Sequence, residues 1–409
     1  MGVSPGLERI AGLMALMGDP HLDSPVIHVA GTNGKTSTAR LATAILTAHD
    51  LSTGTFTSPH LERVEQRYAV HGETISPQDF VAAVSDVAAF SSIYEADEDR
   101  LTYFELTTAV AFSLFVEKAV QVAVVEVGLG GRLDATNIVD GDVAVITDIG
   151  LDHTEYLGSD LAAIAGEKVA IAKPGSSLVA GDLAPEAAAV VSKWAEDLGI
   201  TQHRLQSEFG IDEEELIIDG WNVDLRGIHG SYKDLVLPLH GRHQLSNLAI
   251  AIASVEALLG RELDADALRD SLSSVKNPGR FEIISRDPPL VLDGAHNGHG
   301  FSTLSDTLGE VFPGERWTLV FGVMGDKDIE TMMEVIAARL DRVIVTAIDH
   351  ERAVPADELA DEVRALVSVP VEAVPEPAQA VAPRGEGPLV VAGSLYLAGE
   401  VRPYLVGNR

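Results

Sequence analysis

Short apolar runs alternate with amphipathic stretches along most of this chain. The clearest run covers residues 26–30, and a helical pattern follows it over residues 37–48. Continuous apolar runs are typical of parallel strands that are buried on both faces, and apolar residues three or four positions apart are typical of helices. Further strands are predicted at 52–57, 121–127, 143–147 and 177–181, and further helices at 6–17, 78–92, 102–115, 161–172 and 184–198.

Two stretches break this alternation. Residues 202–239 alternate with the period of strands and contain turn signals at Gly210, Gly220 and Gly230, which predicts β hairpins. Residues 91–100 are polar and acidic, which predicts an exposed loop.

A second domain is predicted towards the C-terminus. Helical patterns at 241–259 and 265–275 are followed by residues 276–279, whose Pro278 and Gly279 suit a linker. We therefore expect one domain at 1–279 and a smaller parallel α/β domain at 280–409. The apolar runs that support the second domain lie at 290–292, 317–322, 342–347, 369–374 and 388–392.

The loop between the first strand and its helix has the composition of a phosphate loop. It ends in Gly34, Lys35, Thr36 and Ser37. Glycine lets backbone N–H groups approach phosphate oxygens, the lysine reaches the outer phosphates, and the threonine hydroxyl suits Mg²⁺. The usual longer spacing would require glycine where Val29 stands. The alternative is a glycine-rich turn with a surface lysine, but the flanking strand and helix favour the phosphate loop.

Polar residues follow three other predicted strands at the edge where ligands bind in parallel sheets. Ser58 comes after the second strand, although Ser58-Pro59 also suits a helix cap. Glu126 lies inside the apolar run 121–127, which precedes a glycine-rich loop; a buried carboxylate is costly unless it is paired or bound to a metal. His153 follows a fourth strand, and a single histidine at such a position is often structural.

The stretch from Thr102 to Glu105 opens a predicted helix. Its Thr-x-x-Glu pattern is also that of a capping box, so the sequence leaves open whether these side chains cap the helix or bind a ligand.

Composition narrows the class of protein. The 409 residues are 46% hydrophobic and include no cysteine, which excludes thiolate chemistry. The sequence has no apolar stretch long enough for a membrane span and no signal-peptide pattern at its N-terminus. We therefore expect a soluble cytoplasmic protein that binds no membrane.

The charge is strongly acidic, with 62 acidic and 29 basic residues and a net charge of −33. Such a surface argues against binding of nucleic acid, whose phosphates it would repel. It also suggests the hypothesis of adaptation to high salt, where ions screen self-repulsion.

Taken together, the motifs resemble the folylpolyglutamate synthase/dihydrofolate synthase family of Mur-type ATP-dependent amide ligases. The resemblance extends over nearly the whole chain, and its strength lies in the order and spacing of stretches that are individually weak. These stretches are residues 28–35, 57–61, 102–105, 126–137, 152–153, 166–168, 243–247, 278–282, 293–297 and 393–397.

The resemblance implies a P-loop three-layer nucleotide-binding domain followed by a smaller Rossmann-like α/β domain. It also implies that ATP and Mg²⁺ are cofactors and that a monomer acts on small molecules. ATP contacts are expected at Gly34, Lys35, Thr36, Ser37, Asn247, Arg280 and Asp293. Mg²⁺ ligands, direct or through water, are expected at Thr36, Ser58, Glu126, His153 and Lys168. Substrate contacts are expected at Thr102, Tyr103, Phe104, Glu105, Leu133, Asp134 and Ala135, and catalytic roles at Lys35, Lys168 and His296.

Lys168 matches the family lysine that is carboxylated on its side-chain nitrogen. An ammonium would repel Mg²⁺, whereas a carbamate offers it two oxygens. The alternative is a surface lysine near a helix end, paired with Glu167 or with solvent.

The expected reaction joins a pteroate or folate carboxyl group to the amine of L-glutamate through an acyl phosphate. Thr36 stands where the family usually has glycine, as in the peptidoglycan Mur ligases, so a ligase that adds an amino acid to a peptidoglycan precursor is an alternative. A P-loop regulatory switch is a third reading, which the number of motifs beyond the loop argues against. Whether the enzyme makes dihydrofolate, extends folate to polyglutamate, or does both is open.

Overall fold

The computed structural model describes residues 6–97, 100–382 and 387–407, and the chain divides into two compact units. The first unit holds the chain up to His60 with Val64–Pro238 and His243–Val275. The second holds Leu61–Arg63, Leu239–Arg242 and the chain from Lys276 onwards. Two short segments that precede Lys276 thus pack with the C-terminal unit, which no local pattern in the sequence indicates.

The first unit is built on an eight-stranded sheet. Its strands are β1 (Val26–Ala30), β2 (Thr53–Phe56), β3 (Tyr68–Val70), β4 (Glu73–Thr74), β5 (Val122–Glu126), β6 (Val143–Ile146), β7 (Ser177–Ala180) and β8 (Thr201–Arg204). The order is β4-β3-β2-β5-β1-β6-β7-β8. Pairing is parallel from β2 to β8, and β3 and β4 extend the sheet antiparallel at one edge.

Helices cover both faces of this sheet. Ala123 and Val125 of β5 lie in one apolar core together with residues of the helices at 8–16, 77–97 and 103–117. Val122 and Val124 are also buried, and because successive side chains of a strand alternate, they point to the other face. The result is three layers. The helices are α1 (Glu8–Leu16), α2 (Lys35–Ala48), α3 (Pro77–Asp97), α4 (Tyr103–Glu117), α5 (Thr154–Leu157), α6 (Leu161–Val169), α7 (Pro185–Leu198), α8 (Arg242–Leu259) and α9 (Ala265–Ser273).

A small antiparallel sheet follows β8 in the sequence. It consists of β9 (Gly210–Ile217), β10 (Gly220–Arg226) and β11 (Ser231–Leu237), with β10 in the middle. Trp221, Val223 and Leu225 of β10 are buried, and the residues between them are partly exposed. This alternation is what the sequence predicts for hairpins with one face on the core.

The second unit has a six-stranded sheet in the order β12-β13-β17-β14-β15-β16. The strands are β12 (Glu282–Arg286), β13 (Pro289–Leu292), β14 (Trp317–Phe321), β15 (Leu340–Val345), β16 (Val371–Ala373) and β17 (Leu389–Ala392). The helices are α10 (Gly298–Val311), α11 (Ile329–Ile336), α12 (Ala356–Leu366), α13 (Pro377–Ala380) and α14 (Leu395–Val406). Among these six strands, β12 pairs antiparallel with β13, and the other neighbours pair parallel.

The predicted α/β class is confirmed in both units, and one local prediction is wrong. The stretch at 91–100 was expected to be a loop, but α3 continues to Asp97; residues 98–99 lie outside the described part of the chain. Phe90 and Tyr94 pack against the core of the first unit, so tertiary contacts extend the helix beyond its polar sequence. Of the helices in the described residues, none is long and apolar enough to cross a membrane.

Candidate active site

The phosphate loop lies between β1 and α2. Gly34 caps α2 with a φ of 82°, a left-handed conformation that favours glycine. The Nζ of Lys35 donates to the carbonyl oxygens of Gly31 and Thr32 at 3.0 and 3.1 Å. An anion in this loop would therefore meet backbone N–H groups, the N-terminus of a 14-residue helix and an ammonium group.

The residues after β6 fix this loop. The carboxylate of Asp148 accepts the backbone N–H of Asn33 at 2.5 Å and its side-chain amide at 3.3 Å. The Thr147 hydroxyl donates to the Asn33 carbonyl at 2.6 Å. Asn247 of α8 lies against the same loop, since a Cβ added to Gly34 would be 2.5 Å from its Oδ1. The sequence predicted Asn247 as a nucleotide contact but did not assign a role to Asp148.

Glu126 joins the end of β5 to the phosphate loop. It is 1% exposed, and both of its carboxylate oxygens accept from the Thr36 hydroxyl at 2.9 Å. The backbone N–H of Ser58 donates to Oε2 at 3.2 Å. Three of the predicted metal ligands, on three different elements, are therefore adjacent in the fold.

Lys168 near the end of α6 is buried, with 5% of the residue exposed. Its Nζ donates to the Gly31 carbonyl at 2.9 Å, so two lysines converge on one oxygen of the phosphate loop. Burial, and next the charge of Lys35, lower the pKa of Lys168 to about 7. The alternative of a surface lysine is wrong: Glu167 instead pairs with Arg132 on the exposed side of the helix.

The glycine-rich loop after β5 packs directly on α6. A Cβ added to Gly131 would lie 2.6 Å from the Glu167 carbonyl oxygen and 2.9 Å from that of Lys168. The backbone N–H of Arg132 donates to the Glu167 carbonyl at 2.8 Å. This close approach, which only glycine allows, places Lys168 beside the phosphate loop.

The start of α4 uses Thr102 and Glu105 as a capping box. The Thr102 hydroxyl accepts the N–H of Glu105, and the Glu105 carboxylate accepts the N–H of Thr102 and pairs with Arg9. Phe104 lies against the glycine-rich loop, because a Cβ on Gly128 would be 2.4 Å from its ring. Tyr103 is 46% exposed. The two aromatic residues are thus better placed than the capping residues to contact a ligand.

Leu133, Asp134 and Ala135 differ in accessibility. Leu133 is 44% exposed, whereas Asp134 and Ala135 are each 6% exposed. Burial raises the pKa of Asp134, and hydrogen bonds from the Thr136 hydroxyl and from backbone N–H groups, including that of Leu129, act against the rise.

His28 of β1 completes a hydrogen-bond chain to Asp134 that sequence reasoning missed. The single hydroxyl proton of Thr136 is donated to Asp134 at 2.5 Å, so the Thr136 oxygen accepts from Nε2–H of His28 at 2.9 Å. Burial lowers the pKa of His28 to about 3, which keeps the ring neutral, and its Nδ1 is buried with no hydrogen-bond partner among the described residues. A polar residue in the middle of an apolar strand was the available signal.

His153 lies at the start of α5 with a φ of 50°. Its side chain is 39% exposed, and its Nε2 is 4.0 Å from the carboxylate of Asp152. The short helix that it begins packs near the glycine-rich loop, since a Cβ on Gly130 would be 2.9 Å from Leu157.

Arg280, Asp293 and His296 belong to the second unit. The Asp293 carboxylate accepts the N–H groups of Phe281 and Ala295 at 2.6 and 2.7 Å. Burial raises the pKa of Asp293, and the charge of Arg280 acts against the rise. The ring of His296 shares a hydrogen bond of 2.9 Å with the Gly294 carbonyl through Nδ1.

The donor groups of the first unit fit Mg²⁺. In the described residues no group of three or more His, Cys, Asp or Glu side chains has the arrangement of a metal site. Mg²⁺ does not require one, because it is commonly held by one or two carboxylates together with substrate phosphates and water. A buried carboxylate beside a threonine hydroxyl, at the mouth of a phosphate loop, is such a set of oxygen donors.

A mostly parallel sheet between two layers of helices, with a phosphate loop between β1 and α2, defines a P-loop nucleotide-binding enzyme. The sequence profile of the Mur ligase middle domain matches residues 29–255, and that of the Mur ligase glutamate ligase domain matches residues 279–391. The dihydrofolate synthase/folylpolyglutamate synthase of Mycobacterium tuberculosis is 36% identical over 98% of this chain and 90% of its own length.

Solved structures agree. A crystal structure of the Mycobacterium tuberculosis folylpolyglutamate synthase complexed with ADP and AMPPCP matches with a TM-score of 0.94 at 37% identity, covering 99% of this chain and 96% of that one. Escherichia coli FolC in complex with DHPP and ADP matches with a TM-score of 0.88 at 31% identity, covering 100% and 95%. The chain therefore belongs to the dihydrofolate synthase/folylpolyglutamate synthase family of Mur ligases, which are ATP-dependent ligases. The resemblance inferred from the sequence is confirmed.

Proposed function

We propose that this enzyme uses ATP to join the carboxyl group of a pteroate or folate to the amine of L-glutamate. The observation that carries the proposal is the convergence of Lys35, Thr36, Glu126 and Lys168 at one phosphate loop. The acceptor class is supported by the names of the relatives and by the ADP and DHPP of the Escherichia coli complex.

The chemistry follows from the poor electrophilicity of a carboxylate. A carboxylate oxygen attacks the γ-phosphorus of ATP, ADP leaves, and an acyl phosphate forms. The glutamate amine then attacks the acyl carbon, inorganic phosphate leaves, and the nitrogen loses a proton to give the amide. Both steps need positioning and charge neutralisation rather than a nucleophilic side chain.

We assign the phosphate contacts to Gly34, Lys35, Thr36 and Ser37. The Lys35 ammonium stabilises the negative charge on the transferred phosphoryl group, and the backbone N–H groups at the start of α2 orient the phosphates. The roles that the resemblance implies for Asn247, Arg280, Asp293 and His296 stay predictions, as do those of Tyr103, Phe104, Leu133, Asp134 and Ala135 towards the acceptor.

We assign Mg²⁺ binding to Thr36, Ser58 and Glu126, with His153 and a carboxylated Lys168 as further ligands or as ligands through water. When bound, the ion neutralises charge on the phosphates.

Glu126→Gln keeps the size of the side chain and removes its charge. We expect it to lower the affinity for Mn²⁺, measured by electron paramagnetic resonance with ADP present, by about tenfold or more. Unchanged Mn²⁺ binding with a lower melting temperature would instead favour a structural role.

We also propose that Lys168 carries a carbamate. The neutral amine attacks CO₂, forms an N–C bond and releases one proton. The buried position of Lys168 beside Lys35 disfavours a second ammonium at this loop, whereas an anion there would be paired with Lys35.

One assay separates the candidate functions. ADP release is measured for three acceptors in separate reactions, each with and without L-glutamate. The acceptors are dihydropteroate, a reduced folate and a nucleotide-linked peptidoglycan precursor. We expect release that requires both glutamate and at least one of the first two acceptors, and its loss in Lys35→Ala. Release with the peptidoglycan precursor alone would support the Mur-type alternative, and release without any acceptor would contradict a ligase.

A further inference from the structure

Arg67 is a largely buried arginine that contacts His60 and Tyr103. It lies at the end of a short 3₁₀ turn, Val64–Arg67, and only 6% of the residue is exposed. Its Nε donates to Nδ1 of His60 at 3.0 Å. Among the described residues no side chain or carbonyl accepts from its two Nη groups. The Nη atoms are not among the buried side-chain atoms that lack a partner, so they keep access to the surface, and their four N–H bonds suit an anionic ligand.

Two neighbours hold the guanidinium in place. The ring of Tyr103 lies under it, with its centre 5.5 Å from the central carbon of Arg67. The guanidinium nitrogens of arginine can only donate, so Nδ1 of His60 is the acceptor and fixes the Nε side of the group. A cation–π contact and a fixed Nε leave the Nη edge as the part that can bind a ligand.

The same segment connects Arg67 to the phosphate loop. His60 follows Ser58 by two residues, and the N–H of Ser58 donates to Glu126, which in turn accepts from Thr36. The backbone of Arg67 accepts the N–H of Thr57 at 2.8 Å. On the other side, Tyr103 begins α4. Arg67 therefore lies between the strand end that meets Glu126 and an exposed aromatic side chain.

We propose that Arg67 binds the carboxylate of the acceptor substrate through its Nη edge. The inference rests on the proposed function, because it concerns the carboxylate that this reaction activates. A carboxylate matches the planar fork of a guanidinium better than it matches an ammonium. The phosphates already have donors in the N–H groups of α2 and in Lys35, whereas in a chain with a net charge of −33 an incoming carboxylate needs a local cation.

The test compares two ligands that differ only in charge. Pteroate and its primary amide are titrated by calorimetry against the full-length enzyme saturated with an ATP analogue. We expect the wild type to prefer pteroate by roughly 10- to 100-fold, the range for hydrogen bonds to a charged group. Arg67→Gln should lose that preference, with the amide binding as it does to the wild type. Arg67→Lys should keep part of it, because the charge remains but the fork does not.

Controls separate binding from folding. Arg269→Gln removes a surface arginine that pairs with Asp266 and should leave both affinities unchanged. The affinity for ADP should be the same in Arg67→Gln as in the wild type. Equal weakening of both pteroyl ligands in Arg67→Gln would show a structural role, and weaker ADP binding would show a phosphate contact; either result overturns the proposal. If Arg67→Gln does not fold, an unchanged preference in Arg67→Lys and in Tyr103→Leu overturns it. No binding of pteroate to the wild type would overturn the proposed function itself.

Discussion

At the scale of single residues, the site depends on ionisable side chains that are largely buried. Lys168 is the clearest case, because its Nζ shares the Gly31 carbonyl with Lys35. Two ammonium groups so close together repel each other, and burial adds to the cost of charging Lys168. A carbamate would convert this repulsion into an attraction.

The carbamate can be observed without measuring activity. We expect the enzyme equilibrated with ¹³C-bicarbonate to give a carbamate carbon signal in its NMR spectrum, and the signal to disappear in Lys168→Arg. Lys173→Arg is the matched control, since Lys173 is half-buried and donates to two backbone carbonyls. A spectrum with no carbamate signal in the Mg²⁺-bound wild type would contradict the modification.

His28 makes stability depend on pH. Its pKa is about 3 in the folded protein, against 6.5 for an unperturbed histidine. Between these values the unfolded chain takes up a proton that the folded chain does not. This linkage is absent above pH 6.5 and destabilises the fold as the pH falls towards 3, by up to about 1.4 kcal/mol for each pH unit.

We expect His28→Gln to lose part of this acid sensitivity. Glutamine can still donate to Thr136 but takes up no proton in the unfolded chain. From pH 7 to pH 4 the melting temperature of the variant should therefore fall less than that of the wild type. His71→Asn is the control: His71 is exposed, and its φ of 52° is one that asparagine tolerates. An identical pH dependence in wild type and His28→Gln would mean that the pKa of His28 is the same in the folded and the unfolded chain.

At the scale of elements, the contact between the glycine-rich loop and α6 positions the site. The backbone of Gly131 approaches the carbonyls of Glu167 and Lys168 so closely that a methyl group would collide with them. The proposed acceptor contacts Leu133, Asp134 and Ala135 follow Gly131 in the loop, and Lys168 lies on the α6 side of the contact. Because the loop packs directly on α6, it fixes the distance from Lys168 to the phosphate loop.

Two glycine variants test this contact. Gly131→Ala should move α6 and lower kcat by about tenfold or more, as displacements of about 1 Å in a site do. Gly166→Ala adds the same methyl group to α6 at a position with open space around it, and should stabilise the helix by about 0.5–1 kcal/mol without loss of activity. Equal activity in the two variants would mean that the contact does not position the site.

At the scale of the whole molecule, the dominant feature is the charge of −33. Acidic residues face each other even across paired strands: Asp224 of β10 lies opposite Glu213 of β9, and like charges in that position are destabilising. We infer that the fold is held against appreciable self-repulsion at low ionic strength.

The melting temperature should therefore rise from low salt to molar NaCl or KCl, salts that screen charge. Glu213→Gln should raise the melting temperature at low salt and have little effect at high salt, because it removes one repulsive pair. Glu117→Gln, which removes an acid that pairs with Lys118, serves as the control and should not be stabilising. A melting temperature that is independent of salt would rule out adaptation to high salt.

The sequence by itself determined the class of fold and the phosphate loop. Periodicity is a local property, and residues 26–48 contain a strand, a loop and a helix whose order is sufficient to predict an anion site. The ends of the other strands could be paired with it because parallel strands carry their carboxyl ends to one edge. Glu126 and Ser58 were predicted on that basis, and the Glu126 carboxylate accepts from both the Ser58 backbone N–H and the Thr36 hydroxyl.

Only the tertiary structure decided what each polar side chain does. The pattern from Thr102 to Glu105 allows a cap or a ligand contact, and the fold makes Thr102 and Glu105 the cap and leaves Tyr103 exposed. Arg67 and His28 have no local signal for their partners, because those partners are brought together by folding. Burial shifts the pKa values of His28 and Lys168, and burial depends on residues that are distant in the sequence.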